Sequence, residues 1–208
     1  MGKREFRKSK NEYAKKAYIG HSNENVTGNY ITHSQNCRSA FHANNCQDIA
    51  HAYQAQKVHD GMDIDCGEES AWLYEQSGYY LVNNAAFCHW AWNNVSDTYY
   101  CSNSENIQNC FGCVGLRKAK YCILNKQYTK EEYEELVPKI IEHMTKTGEW
   151  GEFFPADSSP FGYNETVANE LFPLSADAAK MLGFQWQDEE VKAIYQGPFG
   201  KIPENTKM

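Results

Sequence analysis

The chain has 208 residues and a net charge of −7, with 14 tyrosines, 10 phenylalanines and 5 tryptophans. This aromatic content is enough for a hydrophobic core, which argues against disorder, and the acidic balance argues against a general nucleic-acid-binding protein. The sequence contains no run of about 18 apolar residues and no apolar segment after the charged N-terminus. We therefore expect a cytoplasmic protein that has neither a transmembrane helix nor a signal peptide.

Residues 1–19 are predicted to form a basic N-terminal arm. Residues 1–16 carry a net charge of +5, so the rest of the chain carries −12. Such an arm can contact an anionic partner, whereas the acidic body disfavours nucleic acid.

The cysteine spacing is the main indication of fold. Cys66, Cys88 and Cys110 lie 22 residues apart, twice in succession. A fixed period of about 20 to 50 residues is typical of repeat architectures. Residues 20–125 are therefore predicted to form a right-handed parallel β-helix, a β-solenoid with coils of about 22 residues in which these three cysteines stack.

Other echoes support the repeat. Tyr-containing segments recur at 79–82, 99–102 and 121–124, and a spacing of nine residues separates three further cysteine pairs. Asparagine tolerates the left-handed backbone region, so the Asn residues at 44–45, 83–84, 93–94 and 103–106 indicate coil corners. The predicted inward or stacking residues are Tyr80, Val82, Phe87, Ile107, Val114 and Ile123.

Residues 126–195 are predicted to form a C-terminal α-helical cap, followed by a tail at 196–208. Thr129 and Glu132 form a capping box before an apolar stripe at 133–144, which Pro138 kinks or restarts and Gly148 ends. We expect the stripe to lie against the end or flank of the solenoid. Shorter helices are predicted to be capped by Asn164, Ser175 and Asp188. The fold class is therefore mostly β with a helical cap.

The eight cysteines lack an export signal, which favours reduced thiols or metal ligands over disulfides. Cys110 and Cys113 form a CxxC pair, and Cys101 and Cys122 flank it at nine residues on either side. Four cysteines are a common zinc ligand set. Zinc is therefore the one cofactor that the sequence suggests, and the competing interpretation places all four thiols in the solenoid core.

Two further sets are candidates for binding. Trp90 and Trp92 point to one face of a strand, where they would stack on a sugar or dock a partner if exposed. We favour burial beneath the C-terminal helices, because the stripe at 133–144 needs an apolar partner. Asp63 and Asp65 share a strand face and belong to an acidic cluster of the kind that holds calcium in some polysaccharide-cleaving β-helices, which is an analogy by fold.

Several segments resemble a known group of proteins: Asn109-Cys-Phe-Gly-Cys-Val-Gly-Leu-Arg117, Tyr121-Cys-Ile-Leu-Asn125, Glu131-Glu-Tyr-Glu134, Pro173-Leu174 and Leu182-Gly-Phe-Gln-Trp186. The chain is similar, over residues 29 to 190, to cysteine-rich, repeat-containing hypothetical proteins of environmental bacteria. Members are often longer and carry zinc-ribbon-like segments, which this chain lacks. The resemblance implies a β-solenoid fold and no mechanism.

The sequence contains no serine-triad signature, P-loop or dinucleotide fingerprint. The favoured interpretation is a non-catalytic scaffold or protein-interaction module that docks a protein partner or self-assembles and does not enter a membrane. The alternatives are a zinc-binding protein and a carbohydrate-binding or polysaccharide-cleaving β-helix.

Overall fold

The computed structural model describes residues 16–188. One compact unit of the chain ends at Phe153 and a second begins at Phe154. Most of the predicted basic arm, the helix predicted after Asp188 and the tail at 196–208 lie outside the described residues.

The first unit contains a sheet of eight strands that wind as a solenoid. They are β1 (Gly20–His21), β2 (Gly28–Thr32), β3 (Gln35–Arg38), β4 (Ala40–Asn44), β5 (Gln47–Tyr99), β6 (Ser102–Phe111), β7 (Arg117–Ile123) and β8 (Lys126–Gln127). Pairing is parallel from β1 to β7, and β8 returns antiparallel to β7. The strand β5 alone holds 53 residues, because its extended backbone continues through successive coils. About nine stacked turns confirm the predicted parallel β-solenoid, and its right hand stays a prediction.

The coils are shorter than predicted. Cys37 pairs with Ile49 and Cys110 pairs with Cys122, a register of 12 residues. One coil is a residue longer, because the ladder shifts register between Trp92 and Ser96. The predicted coil of about 22 residues is therefore wrong, and residues 22 apart do not share a column.

Every third residue points inward, which gives four inward positions per 12-residue coil. A coil this small encloses a narrow core, and most of its inward side chains are small. From the second coil to the fourth, the buried residues are Ile31, Ser34, Cys37, Ala40, Ala43, Cys46, Ile49, Ala52, Ala55 and Val58.

Among residues 16–188, Tyr79 is the largest of the fully buried side chains. Its ring occupies the space that a Cβ atom at Gly67 would need, one coil earlier. A glycine at position 67 is therefore what allows the narrow core to hold a tyrosine.

The residue before most inward positions has a positive φ, as at His33, Asn36 and Ser39. A left-handed residue bends an extended chain, so each coil consists of four short segments joined by four corners. Asparagine is common at these corners, and Asn45, Asn84, Asn93, Asn94, Asn103 and Asn106 confirm the predicted corner segments.

The predicted inward residues divide into four groups. Val82 and Ile107 lie in the narrow core, and Phe87 and Ile123 are buried in a second apolar cluster on the flank. Tyr80 is half-buried. The prediction for Val114 is wrong, because its side chain is 56% exposed in the last coil.

The first helix, α1 (Lys130–Thr147), begins at the predicted capping box. The Glu132 N–H donates to Thr129 Oγ1 over 3.2 Å, and the Thr129 N–H donates to Glu132 Oε2 over 2.8 Å. The helix passes through Pro138 as one element, without a restart, and ends at Gly148 with φ 78°. Within residues 16–188, no helix is long and apolar enough to cross a bilayer.

The apolar stripe of α1 lies on the flank of the solenoid, as predicted. Tyr133 and Val137 belong to one buried cluster with Phe87, Tyr100 and Phe111. The Tyr100 hydroxyl donates to the Glu149 carbonyl and accepts from the Gly151 N–H, each over 3.2 Å. The segment that follows α1 is thereby joined to the solenoid.

The second unit is described to residue 188. It contains short 3₁₀ turns at Ala156–Ser158 and Tyr163–Glu165, and the helices α2 (Val167–Leu171) and α3 (Ala176–Met181). Ser175 caps α3 as predicted, accepting from the Ala178 N–H over 3.3 Å. The Asn164 cap is wrong, because α2 follows Thr166 and the Asn164 side chain instead bonds the backbone of Gln187.

Candidate functional site

The cysteines that suggested a metal site form columns inside the solenoid. The sulfur of Cys88 accepts the N–H of Cys101 over 3.4 Å, and the sulfur of Cys101 accepts the N–H of Cys113 over 3.3 Å. The sulfur of Cys113 accepts the N–H of Asn125 over 3.4 Å. Each thiol in this column therefore accepts a hydrogen bond from a backbone N–H of the next coil.

The other cysteines of the proposed set lie in a second column. Cys110 pairs with Thr98 in the coil before it and with Cys122 in the coil after it. Cys66 is exposed, whereas Cys88 and Cys110 are buried in different columns. The predicted stack of these three cysteines is therefore wrong.

The seven buried thiols all form the same type of hydrogen bond. Each S–H donates to the carbonyl oxygen two residues earlier, across the corner of the coil. The pairs are Cys37–Gln35, Cys46–Asn44, Cys88–Ala86, Cys101–Tyr99, Cys110–Gln108, Cys113–Phe111 and Cys122–Lys120, with sulfur–oxygen distances of 3.3 to 3.6 Å.

Serine and threonine make the same contact elsewhere in the core. The hydroxyl of Ser34 donates to the carbonyl of Thr32 over 2.8 Å and accepts the N–H of Cys46 over 3.1 Å. Ser70, Thr98 and Ser104 donate in the same way. A buried thiol or hydroxyl is thus a repeated means of pairing backbone groups at the corners.

Pairs of the proposed zinc ligands are neighbours in adjacent coils: the Cys113 N–H contacts the sulfur of Cys101, and Cys110 is in register with Cys122. Hydrogen bonding to Cys113, and then burial, raises the pKa of Cys101 and of Cys110, and the same two thiols lower the pKa of Cys113. Burial raises the pKa of Cys122. Over residues 16–188, however, no three or more His, Cys, Asp or Glu side chains are arranged to hold a metal ion. The geometry here is that of a packed thiol core.

Trp90 and Trp92 are exposed, so the expectation that they lie beneath the C-terminal helices is wrong. Their side chains are 49% and 37% exposed, and their ring centroids lie 5.7 Å apart with a tilt of 43°. Tyr80, one coil earlier, lies 6.3 Å from Trp92. The aromatic rings of Phe87, Tyr100 and Phe111 occupy the place beside α1 that the indoles were expected to fill.

A second exposed aromatic surface was missed by the sequence interpretation. We call it the aromatic ladder: Tyr30, Phe41, His42 and Tyr53. The ring of Tyr30 stacks on that of His42 with centroids 4.7 Å apart, and the rings of His42 and Tyr53 form a T-shaped pair at 5.7 Å. A 12-residue period would have revealed it, because Tyr30 and His42, like Phe41 and Tyr53, are 12 residues apart.

The carboxylates Asp63 and Asp65 flank the buried Ile64 and belong to different segments of the coil, so the prediction that they share a strand face is wrong. Asp63 lies 3.0 Å from His51 Nδ1 in the previous coil. Burial, and then the charge of Asp63, raises the pKa of Glu75 in the next coil. Asp63 thus belongs to a column that runs along the solenoid axis, with His51 and Glu75.

The stacked parallel coils define the chain as a cysteine-rich β-solenoid protein. No family model matches the chain, and no curated protein matches it. Fold and surface chemistry therefore carry the functional argument.

Proposed function

We propose that the protein is a non-catalytic β-solenoid scaffold, or protein-interaction module, that binds a protein partner through the aromatic ladder. The observation that carries the proposal is the exposure of this ladder. Tyr30, Phe41 and Tyr53 are 48%, 45% and 47% exposed on successive coils. Aromatic side chains on a fixed support are frequent anchors of protein interfaces.

The scaffold holds this surface in place. Parallel backbone pairing continues through β2, β4 and β5, and side-chain bonds repeat along the axis. Asn25 donates to Asn36 over 2.9 Å, and Asn36 donates to Asp48 over 2.8 Å. Because the coils are fixed at both backbone and side chains, little ordering entropy is lost when a partner binds.

The test compares two surfaces of the same coils. Phe41→Ser with Tyr53→Ser removes two anchors of the ladder, whereas His59→Ser changes an exposed residue two segments away, on the opposite side of the coil. Immobilised wild-type protein and the His59→Ser control should retain the same proteins from an extract of the source cells, and the double variant should lose them.

Self-association is measured in parallel by sedimentation velocity, because a second copy can be the partner. A concentration-dependent mass that only the double variant loses would identify self-assembly. Identical retained proteins and identical masses for all three proteins would contradict the proposal.

A zinc-binding role is the alternative proposal, and it is supported by the gathering of Cys101, Cys110, Cys113 and Cys122 in adjacent coils. Against it, every one of these thiols already donates to a backbone carbonyl. Elemental analysis decides between the two. One zinc per chain supports the alternative, and less than about a tenth of an equivalent removes it.

A further inference from the structure

The surface around Trp90 and Trp92 lies outside the aromatic ladder. These indoles form one wall of a groove of about 350 Å³, which we call the indole groove. The rest of its lining is polar and consists of Asn93, Asn103, Ser104, Glu105 and Arg117. A groove of this volume is at the small end of the range for ligand sites.

The fold has a local irregularity at this groove. The pairing of β5 with β6 shifts register between Trp92 and Ser96. The consecutive residues Asn93 and Asn94 both have positive φ. Such a bulge redirects side chains and is frequent beside binding sites. The extra residue therefore coincides with the place where two indoles and an amide meet.

Glycine supports the first indole. A Cβ atom at Gly78, one coil before Trp90, would lie 3.5 Å from the indole Cγ. The indole thus rests on bare backbone, while its outer part stays in solvent. Trp92 is in turn flanked by Tyr80 at 6.3 Å. Both rings are supported from the N-terminal side and open toward the groove.

The polar wall is organised around Glu105. Its Oε1 accepts from Asn93 Nδ2 over 3.1 Å and from Asn106 Nδ2 over 3.4 Å. Arg117 Nε lies 3.9 Å from its Oε2. The carboxylate and the guanidinium offset each other, so the wall presents directed hydrogen-bonding groups with no net charge.

This combination points to a class of ligand. The face of an indole is negative because of its quadrupole and attracts polarised C–H groups, which one face of a pyranose ring presents. The hydroxyl groups at the rim of such a ring both donate and accept, which suits a wall that contains a carboxylate, amides and a guanidinium. A neutral wall favours a neutral sugar over an acidic one, because it offers no excess positive charge.

We propose that the indole groove binds a neutral carbohydrate, with a pyranose ring against Trp90 and Trp92 and its hydroxyls bonded to Glu105, Asn103 and Arg117. Binding uses other residues than the aromatic ladder, so it stands apart from the proposed protein interaction.

The test is a titration of the full chain with neutral oligosaccharides: cellohexaose, xylohexaose, mannohexaose and chitohexaose. Oligogalacturonate serves as the acidic comparison. Binding is followed by isothermal titration calorimetry and by tryptophan fluorescence. At least one neutral oligosaccharide should bind, and Trp90→Ala and Trp92→Ala should each weaken its Kd at least about tenfold.

Trp72→Ala is the matched control. Trp72 is also an exposed tryptophan, at 59%, with the same positive φ as Trp90, but it lies on another segment of the coil. It should leave the Kd unchanged, as should Phe41→Ser with Tyr53→Ser. Circular dichroism verifies that each variant is folded.

Three results would overturn the proposal. The first is that no neutral oligosaccharide binds at millimolar concentration. The second is that Trp72→Ala weakens binding as much as Trp90→Ala does. The third is that Trp90 and Trp92 are needed only to retain a protein partner, which would assign the groove to a protein interface.

Discussion

The corner positions impose the strictest demand at the scale of single residues. A left-handed conformation costs an ordinary L-residue about 1–2 kcal/mol, and asparagine pays less. No Val, Ile or Thr occupies a positive-φ position in the described part of the chain. A branched Cβ at such a position is a genuine outlier. Residue choice at the corners therefore follows backbone sterics even where the side chain faces solvent.

Two exposed glutamines test this point in one coil. Gln54 has φ 51°, and Gln56 follows two residues later at a position without positive φ. We expect Gln54→Val to lower the free energy of unfolding by about 1 kcal/mol, whereas Gln56→Val should be neutral or slightly stabilising. Urea denaturation followed by circular dichroism measures both. Equal effects of the two substitutions would contradict the corner assignment.

The buried thiols make stability depend on alkaline pH. Burial raises the pKa of Cys88 to about 12, and burial, followed by the neighbouring Cys46, raises the pKa of Cys37 to about 11. An unfolded thiol ionises at about pH 8.5. The unfolded state therefore loses protons that the folded state keeps, and stability falls as the pH rises from about 8.5 toward 11.

Cys88→Ser tests this linkage. Serine keeps both hydrogen bonds, as Ser34 does, and does not ionise in this range. The free energy of unfolding should fall less between pH 7.5 and pH 10 in the variant than in the wild type. Cys88→Ala should lose about 1–3 kcal/mol at pH 7.5, because it leaves the Cys101 N–H without its acceptor. An identical pH dependence in Cys88→Ser and wild type would contradict the account.

At the scale of elements, α1 was the most predictable part of the chain. Thr129, Glu132 and Gly148 act locally, so their sequence pattern is sufficient to place both ends of the helix. The residues against which α1 packs were not predictable in the same way. Phe87 and Tyr100 lie beside Tyr133 only because of how the coils stack. Judged by residue type alone, Trp90 and Trp92 were equally suitable partners for α1.

The helix cap gives a direct prediction for this element. Thr129→Ala removes the acceptor of the Glu132 N–H and should lower the stability of the first unit by about 1 kcal/mol. Thr129→Ser keeps the hydroxyl and should have little effect. Denaturation midpoints of the two variants provide the comparison, and equal losses for both would contradict a stabilising role of the Thr129 hydroxyl.

At the scale of the whole molecule, the β-solenoid class could be predicted, and the coil length could not. Inward residues recur every third position, so spacings of nine, as from Cys101 to Cys110, appear beside the spacing of 12 that defines the coil. The register shift between Trp92 and Ser96 then places Cys88 and Cys110 at 22. Cys66 lies 22 residues before Cys88 but faces solvent, so it is not part of this series of inward residues.

The candidate sites, too, were predictable from the sequence only in part. Cys101, Cys110, Cys113 and Cys122 lie in adjacent coils of the solenoid, but within residues 16–188 they are not arranged as a metal site. The aromatic ladder was hidden, since its members coincide only in a 12-residue register.

The 12-residue register of the coils is the central claim, and it can be measured directly. Long-range NOEs between backbone protons in an isotope-labelled sample report which residues are neighbours across the coils. We predict contacts between residues 12 apart, including Phe41 with Tyr53, Gln108 with Lys120 and Cys110 with Cys122. Contacts between residues 22 apart, such as Cys88 with Cys110, in place of these would contradict the 12-residue coil and every column derived from it.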